Sequence, residues 1–181
     1  MSTLKFRVLL DSEKDVEIFR DIEIDENTNF EVFYRSILAA FNFEGQEIGS
    51  FFMSNDSWDK GHEISLMDMR YSDDDPDMPS VMNEAILKDY VETEDQKIIL
   101  VYDFLRMWIF LIELIERSDK SLDKPMVAMA VGTAPPEDSK LVQDDLFAGE
   151  EGEDEEFDEF GEDFEDGYDQ EDFSGYEEYD Y

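Results

Sequence analysis

The chain reads as an α+β protein: one sheet carrying one main helix, followed by a long acidic tail. Three observations predict this. Apolar runs of strand character recur from residue 5 to residue 116, and a single strong helical period lies among them at 30–41. Regular βαβ alternation is missing, which argues against a doubly wound fold. Beyond residue 142 both periodicities give way to carboxylates. The expected division is a single domain at 1–142 and a disordered tail at 143–181.

Lys5-Phe-Arg-Val-Leu-Leu10 is the opening strand. Val16 to Ile24 has apolar residues at 16, 18, 22 and 24, a period of two with a defect around Phe19. The polar link Asp11–Asp15 makes these two runs a hairpin. Asn27, Thr28 and Asn29 are N-cap candidates, and Glu31 follows Thr28 at capping-box spacing. Phe30, Phe33, Tyr34, Ile37, Leu38 and Phe41 then fall on one face of a helix over 29–43, with Gly45 as its stop.

Ile48–Met53 has the composition of a buried strand, and Asn55-Asp-Ser57 that of a turn. Trp58–Met67 has room for another short strand. Asp73–Pro79 is a loop, and Glu84–Tyr90 one or two helical turns. Lys97–Asp103 and Met107–Glu116 are rich in Ile, Val, Phe, Tyr and Trp, and form the best strand pair. Pro125, Gly132 and Pro135-Pro136 are expected to end regular structure before the tail.

The apolar run Ile98–Ile115 is long enough to raise the question of a membrane span. It contains Asp103, Arg106 and Glu113, each costly near the centre of a bilayer helix. Two strands joined by a turn accommodate the same residues without that cost. The first residues form no long apolar leader, so a cytoplasmic location is expected, with no membrane association. Cysteine is absent, which removes disulfides, thiolate metal sites and cysteine nucleophiles together.

Charge narrows the partners. The chain has 51 acids against 14 bases, a net charge of −37. Residues 143–181 hold 20 of those acids and no Lys or Arg, leaving 31 against 14 in residues 1–142. Both parts therefore repel nucleic acid and anionic lipid, and a direct nucleic-acid role is not expected. A basic protein surface would be attracted instead. The tail also carries nine aromatics, at Phe147, Phe157, Phe160, Phe164, Tyr168, Phe173, Tyr176, Tyr179 and Tyr181. Carboxylates interleaved with aromatics have the composition of a disordered interaction segment, or of a plain solubilising extension. On the first reading Phe157, Phe160, Phe164, Tyr168, Phe173 and Tyr176 bind the partner.

Several stretches, taken in order, carry a family resemblance. Phe6-Arg7-Val8, then Phe19-Arg20-Asp21-Ile22-Glu23-Ile24, are similar to an opening strand and a W-R-x-I-x-V strand, with Phe19 in the place of Trp. Asn29 to Phe43 is similar to T-F-x-x-L-H-x-x-I-x-x-A-F-G-W. Ile99-Leu-Val-Tyr-Asp-Phe104 is similar to a Y-x-Y-D-F strand, and Gly132-Thr-Ala-Pro-Pro-Glu-Asp138 to a closing G-x-x-A-x-P-P-E-D. In this order and spacing, over about residues 4–138, the chain resembles the plasmid pRiA4b ORF-3-like family, also described as insertion-element passenger or "TnpR-like" proteins. The resemblance implies an α+β fold related to the β-grasp type, with a mixed sheet. It implies no particular activity. The family continues Y-D-F-G-D-x-W-x-H, whereas here Leu105-Arg106-Met107-Trp108-Ile109 follows Phe104. The turn glycine, one acid and the histidine are gone, so a site built on them is not expected here.

Other candidates for chemistry are sparse. His62, in Trp58-Asp-Lys-Gly-His-Glu63, is the only histidine. Asp73-Asp-Asp-Pro-Asp77 lacks the glycine and terminal glutamate of an EF-hand loop. No phosphate-binding glycine pattern occurs. The expectation is a non-enzymatic interaction protein whose acidic tail binds a basic protein partner, mimicking nucleic acid in its charge. No catalytic, metal or cofactor residue is expected. The alternative is a small-molecule binder or an enzyme using Trp58–Glu63 together with Tyr102–Trp108.

Overall fold

A computed structural model describes residues 1–72 and 74–142. The strands are β1 (Thr3–Leu10), β2 (Phe19–Asp25), β3 (Gly49–Ser54), β4 (Glu63–Ser65), β5 (Ser80–Val81), β6 (Lys97–Tyr102), β7 (Trp108–Ser118) and β8 (Met126–Val131). The helices are α1 (Phe30–Ala40) and the one-turn α2 (Leu87–Tyr90), and a 3-10 turn covers Glu137–Ser139. All eight strands join one sheet in the order β5-β4-β3-β6-β7-β1-β2-β8. It is a mixed sheet: β4 and β5 run parallel, and the other neighbours antiparallel. The α+β class is as expected, with one main helix on one sheet. No helix among the described residues is long and apolar enough to cross a membrane.

The period of two decides which face carries the helix. Leu4, Phe6, Val8 and Leu10 of β1 are buried, as are Ile22 and Ile24 of β2, Ile98, Leu100 and Tyr102 of β6, and Trp108, Phe110, Ile112 and Leu114 of β7. Onto this face α1 lays Phe30, Phe33, Tyr34, Ile37 and Leu38, all buried. Aromatic rings fill the layer between. Phe33 lies 4.7 Å from Phe6 and stacks on Phe51 at 5.6 Å, and Phe41 meets Phe110 edge-on at 5.0 Å. Every buried side-chain nitrogen and oxygen among the described residues has a hydrogen-bond partner.

The ends of α1 differ from expectation. Its cap is Asn29, whose side chain accepts from the Val32 N–H, so the Thr28–Glu31 pair does not form the capping box. Its stop is Asn42 rather than Gly45. Asn42 takes φ 59°, its N–H reaches the Ala39 carbonyl, and the Phe43 N–H reaches the Leu38 carbonyl. That is a Schellman closure, in which asparagine tolerates the left-handed position that glycine usually takes.

The strand ends also shift. Val16 is exposed and outside β2, which begins at Phe19. The irregularity in the sequence marks a residue of the opposite face: Phe19 is buried there beneath the Arg7 guanidinium, 4.3 Å from its ring centroid. Two strands were not expected. β5 has two residues, too few for a period. β8 occupies Met126–Val131, between the very Pro125 and Gly132 that suggested an end to regular structure. Those residues bound a strand instead of excluding one. The run Ile98–Ile115 is the antiparallel pair β6–β7, with Asp103 at φ 58° in the turn accepting the Leu105 and Arg106 N–H groups.

Candidate functional site

The motif residues that carry the resemblance turn out to be fastenings. Arg20 is buried, and its guanidinium donates to the carbonyls of Ala40 (3.1 Å), Phe19 (2.8 Å) and Val131 (2.9 Å) while covering the Phe41 ring at 5.0 Å. One side chain thus satisfies the C-terminal end of α1, where the helix dipole favours a cation, and ties it to β8. Burial pushes the pKa of Arg20 down from its ordinary value.

The closing segment is held by Glu137. One of its carboxylate oxygens accepts from the Tyr102 hydroxyl, the other from the Glu44 N–H at 2.7 Å, and its main-chain carbonyl accepts from Trp108 Nε1 at 3.0 Å. Burial and the Glu137 hydrogen bond push the Tyr102 hydroxyl up to about 12. Burial drives Tyr34 upward as well, and its hydroxyl donates to the Glu47 carbonyl at 3.0 Å. Lys140 finishes the fastening. Its ammonium donates to the Met107 carbonyl and lies 5.3 Å from the Trp108 ring, while its own carbonyl accepts from Arg106 Nε. The family pattern places histidine two residues after Trp108. Here Phe110 stands there, fully buried among Phe41 and Phe43.

A cleft of about 380 Å³ opens beside β5, lined by His62, Arg70, Ser80, Glu84 and Tyr90 among others. The parallel pairing of β5 with β4 brings Ser80 under His62, and α2 brings Tyr90 to both. Tyr90 donates its hydroxyl to Ser80 Oγ at 2.9 Å, and Ser80 Oγ lies 2.7 Å from His62 Nε2. With Tyr90 as donor, the serine proton is left for His62, which accepts it as the Nδ1–H tautomer. The His62 and Tyr90 rings stack at 6.1 Å. Arg70 is clamped between Asp68 (2.8 Å) and Glu84 (3.1 Å), and its hydrogen bonds hold the Asp68 carboxyl down at about 2. Its positive charge is thus compensated in place. The cleft offers hydroxyls, an imidazole and carboxylates, a set suited to a small polar or cationic molecule.

Of the residues singled out in the sequence, His62 lies in this cleft, as do Asp75 and Pro76 of the acidic run. Trp58 does not: its ring faces Lys97 at 5.7 Å. The alternative site that joins Trp58–Glu63 to Tyr102–Trp108 is corrected here. β3 and β6 place Ser54 opposite Lys97 and Gly49 opposite Tyr102, so the two regions sit at opposite ends of β6, about 17 Å apart at strand rise. Ser80, Arg70 and Tyr90 went unnoticed in the sequence, because only the parallel β4–β5 pairing gathers them. Phe157, Phe160, Phe164, Tyr168, Phe173 and Tyr176 lie outside the described residues.

A family model described as "Plasmid pRiA4b ORF-3-like protein" matches residues 2–177. No curated protein matches the sequence. Among solved structures, a protein of unknown function from Methanosarcina mazei Go1 is similar at 21% identity and a TM-score of 0.64, over 82% of this chain and 81% of that one. That likeness concerns the fold.

Proposed function

The chain belongs to the plasmid pRiA4b ORF-3-like protein family, and we propose that this member is a non-enzymatic interaction protein whose acidic tail takes a basic protein partner. The observation that carries the reading is compositional: residues 143–181 hold 20 carboxylates, nine aromatics and no Lys or Arg. A segment built only for solubility needs the carboxylates but not the aromatics. Together they supply long-range attraction to a basic surface and ring contacts once there. At full extension the segment would carry about one carboxylate per 7 Å, roughly half the charge density of one phosphate strand, and a polyanion of this kind fits a nucleic-acid-binding protein as the partner.

The folded part supports the reading by what it offers. Lys5, Arg7, Arg70, Lys97, Arg106 and Arg117 are each ion-paired to a carboxylate within 4 Å. These cations are occupied, and none of them makes a basic patch for nucleic acid.

The test separates charge from recognition. Capture from source-cell lysate is compared for the full chain, a chain ending at Lys140, and a full chain with Phe157, Phe160, Phe164, Tyr168, Phe173 and Tyr176 all changed to Ser. The third keeps the net charge. A basic protein retained by the full chain alone, and released by salt, is the expected result. Equal capture by all three chains refutes the reading.

The Ser80 hydroxyl, set between Tyr90 and His62 in the cleft, favours a second reading, a binder of small polar molecules. Ser80→Ala should then abolish a thermal shift produced by such a molecule.

A further inference from the structure

β8 is an edge strand of unusual character. Met126-Val-Ala-Met-Ala-Val131 contains no charged residue, and all six side chains are exposed, Met126 and Met129 to 49% and 50%. It pairs with β2 on one side and ends the sheet on the other. Alternate main-chain N–H and C=O groups therefore point outward, and no strand among the described residues receives them. Natural edge strands are usually blunted by an inward charge, a proline or a covering loop. Here Pro125 only precedes the strand, and its one irregularity is a bulge at Ala128, since Asp21 pairs with Met129 and Ile22 with Val127.

The surroundings say what would fit. The β1–β2 link meets the exit of β8: a side chain at Gly132 would come within 2.7 Å of the Glu17 carbonyl oxygen. That link exposes Asp11, Glu13, Asp15 and Glu17 against one Lys14, and none of these acids is ion-paired among the described residues. At the other end Asp119 and Asp123 are matched by Lys120 and Lys124. An approaching strand thus meets apolar side chains along β8 and an excess of carboxylates where β8 ends. A second copy of the chain would bring its own −37 charge against them.

We propose that β8 is a strand-addition site for an extended, basic segment of the partner, with apolar residues alternating with Lys or Arg. The inference rests on the proposed function, in which the tail attracts a basic protein. β8 then supplies what a charged tail lacks, a fixed backbone register.

The test uses the full chain and two synthetic peptides of equal charge, one alternating Lys and Val over about ten residues, a strand's length, and one an oligolysine. Amide hydrogen exchange is followed at residues 126–131. The Lys-Val peptide is expected to slow the outward amides of β8 roughly tenfold, and the oligolysine to leave them unchanged. Met129→Lys should weaken Lys-Val binding several-fold, whereas Met67→Lys, the same charge change at an exposed position away from β8, should not. If both peptides bind and the β8 amides stay unprotected, the tail reading stands and this inference fails. If neither binds, both fail. Protection of β8 that needs no peptide and grows with protein concentration and added salt would mean that a second copy occupies the edge, and would overturn the proposal.

Discussion

The hydroxyl of Tyr102, on β6, donates to the carboxylate of Glu137, 35 residues further along the chain. Because the same carboxylate receives the Glu44 N–H, three distant segments meet at one side chain. Glu137→Gln keeps the shape but loses the charge. It is expected to cost about 1–2 kcal/mol, the margin of a charge-assisted hydrogen bond over a neutral one. The melting temperature should fall by roughly 2–8 °C, read by circular dichroism.

Two tyrosines make the folded part sensitive to alkali. Burial raises Tyr34, and burial with Glu137 raises Tyr102 to about 12, from an ordinary value of 10.0. A hydroxyl whose folded value exceeds its unfolded one binds more protons in the native state, so its contribution is complete below pH 10 and is lost as pH climbs toward 12. Urea midpoints should therefore fall between pH 10 and 12. The double variant Tyr34→Phe, Tyr102→Phe should flatten that fall, and an unchanged slope would contradict the assignment.

Arg20→Lys should destabilise by about 2–3 kcal/mol, since an ammonium cannot reach three carbonyls and cover a ring together. The loss is expected to be local as well as global. Exchange at the β8 amides should accelerate more than at β6, because Val131 is one of the three acceptors.

Much of this was legible in the residues, for reasons that can be named. The buried face of α1 follows from six large apolar side chains at helical spacing, and all six are buried. β6 and β7 followed from β-branched and aromatic density with charges placed where a turn belongs. What failed was local punctuation. Asn42 outcompeted Gly45 as a helix stop, because tertiary packing of Phe43 fixed where the chain had to turn. β8 was invisible, because an edge strand exposed on both faces has no alternation to display. The His62–Ser80–Tyr90 cluster depends on a two-residue parallel bridge that no periodicity can report.

Gly132 tests the junction after β8. It takes φ 77°, and a Cβ there would approach the Glu17 carbonyl to 2.7 Å. Gly132→Ala combines backbone strain with a clash against main chain, and about 1–3 kcal/mol should be lost in chemical denaturation.

At the cleft, Asp68 should titrate at about 2 in a carbon-detected NMR experiment, held down by Arg70. Arg70→Gln should return it to the ordinary carboxylate range near 4. In the parent chain the Asp68–Arg70 pair should therefore persist as pH falls past 4 and release only as pH nears 2.

β1 lies between β2, its hairpin partner, and β7, where Thr3 pairs with Ser118. A ribosome adding about 5–20 residues each second would release the first hairpin and α1 roughly 4–16 s before β7 is complete. Phe33 could meet Phe6 during that interval, but Phe41 would still lack Phe110. The nascent chain must therefore wait with half of its helix-bearing floor unlaid, and topology, more than stability, should set its folding time.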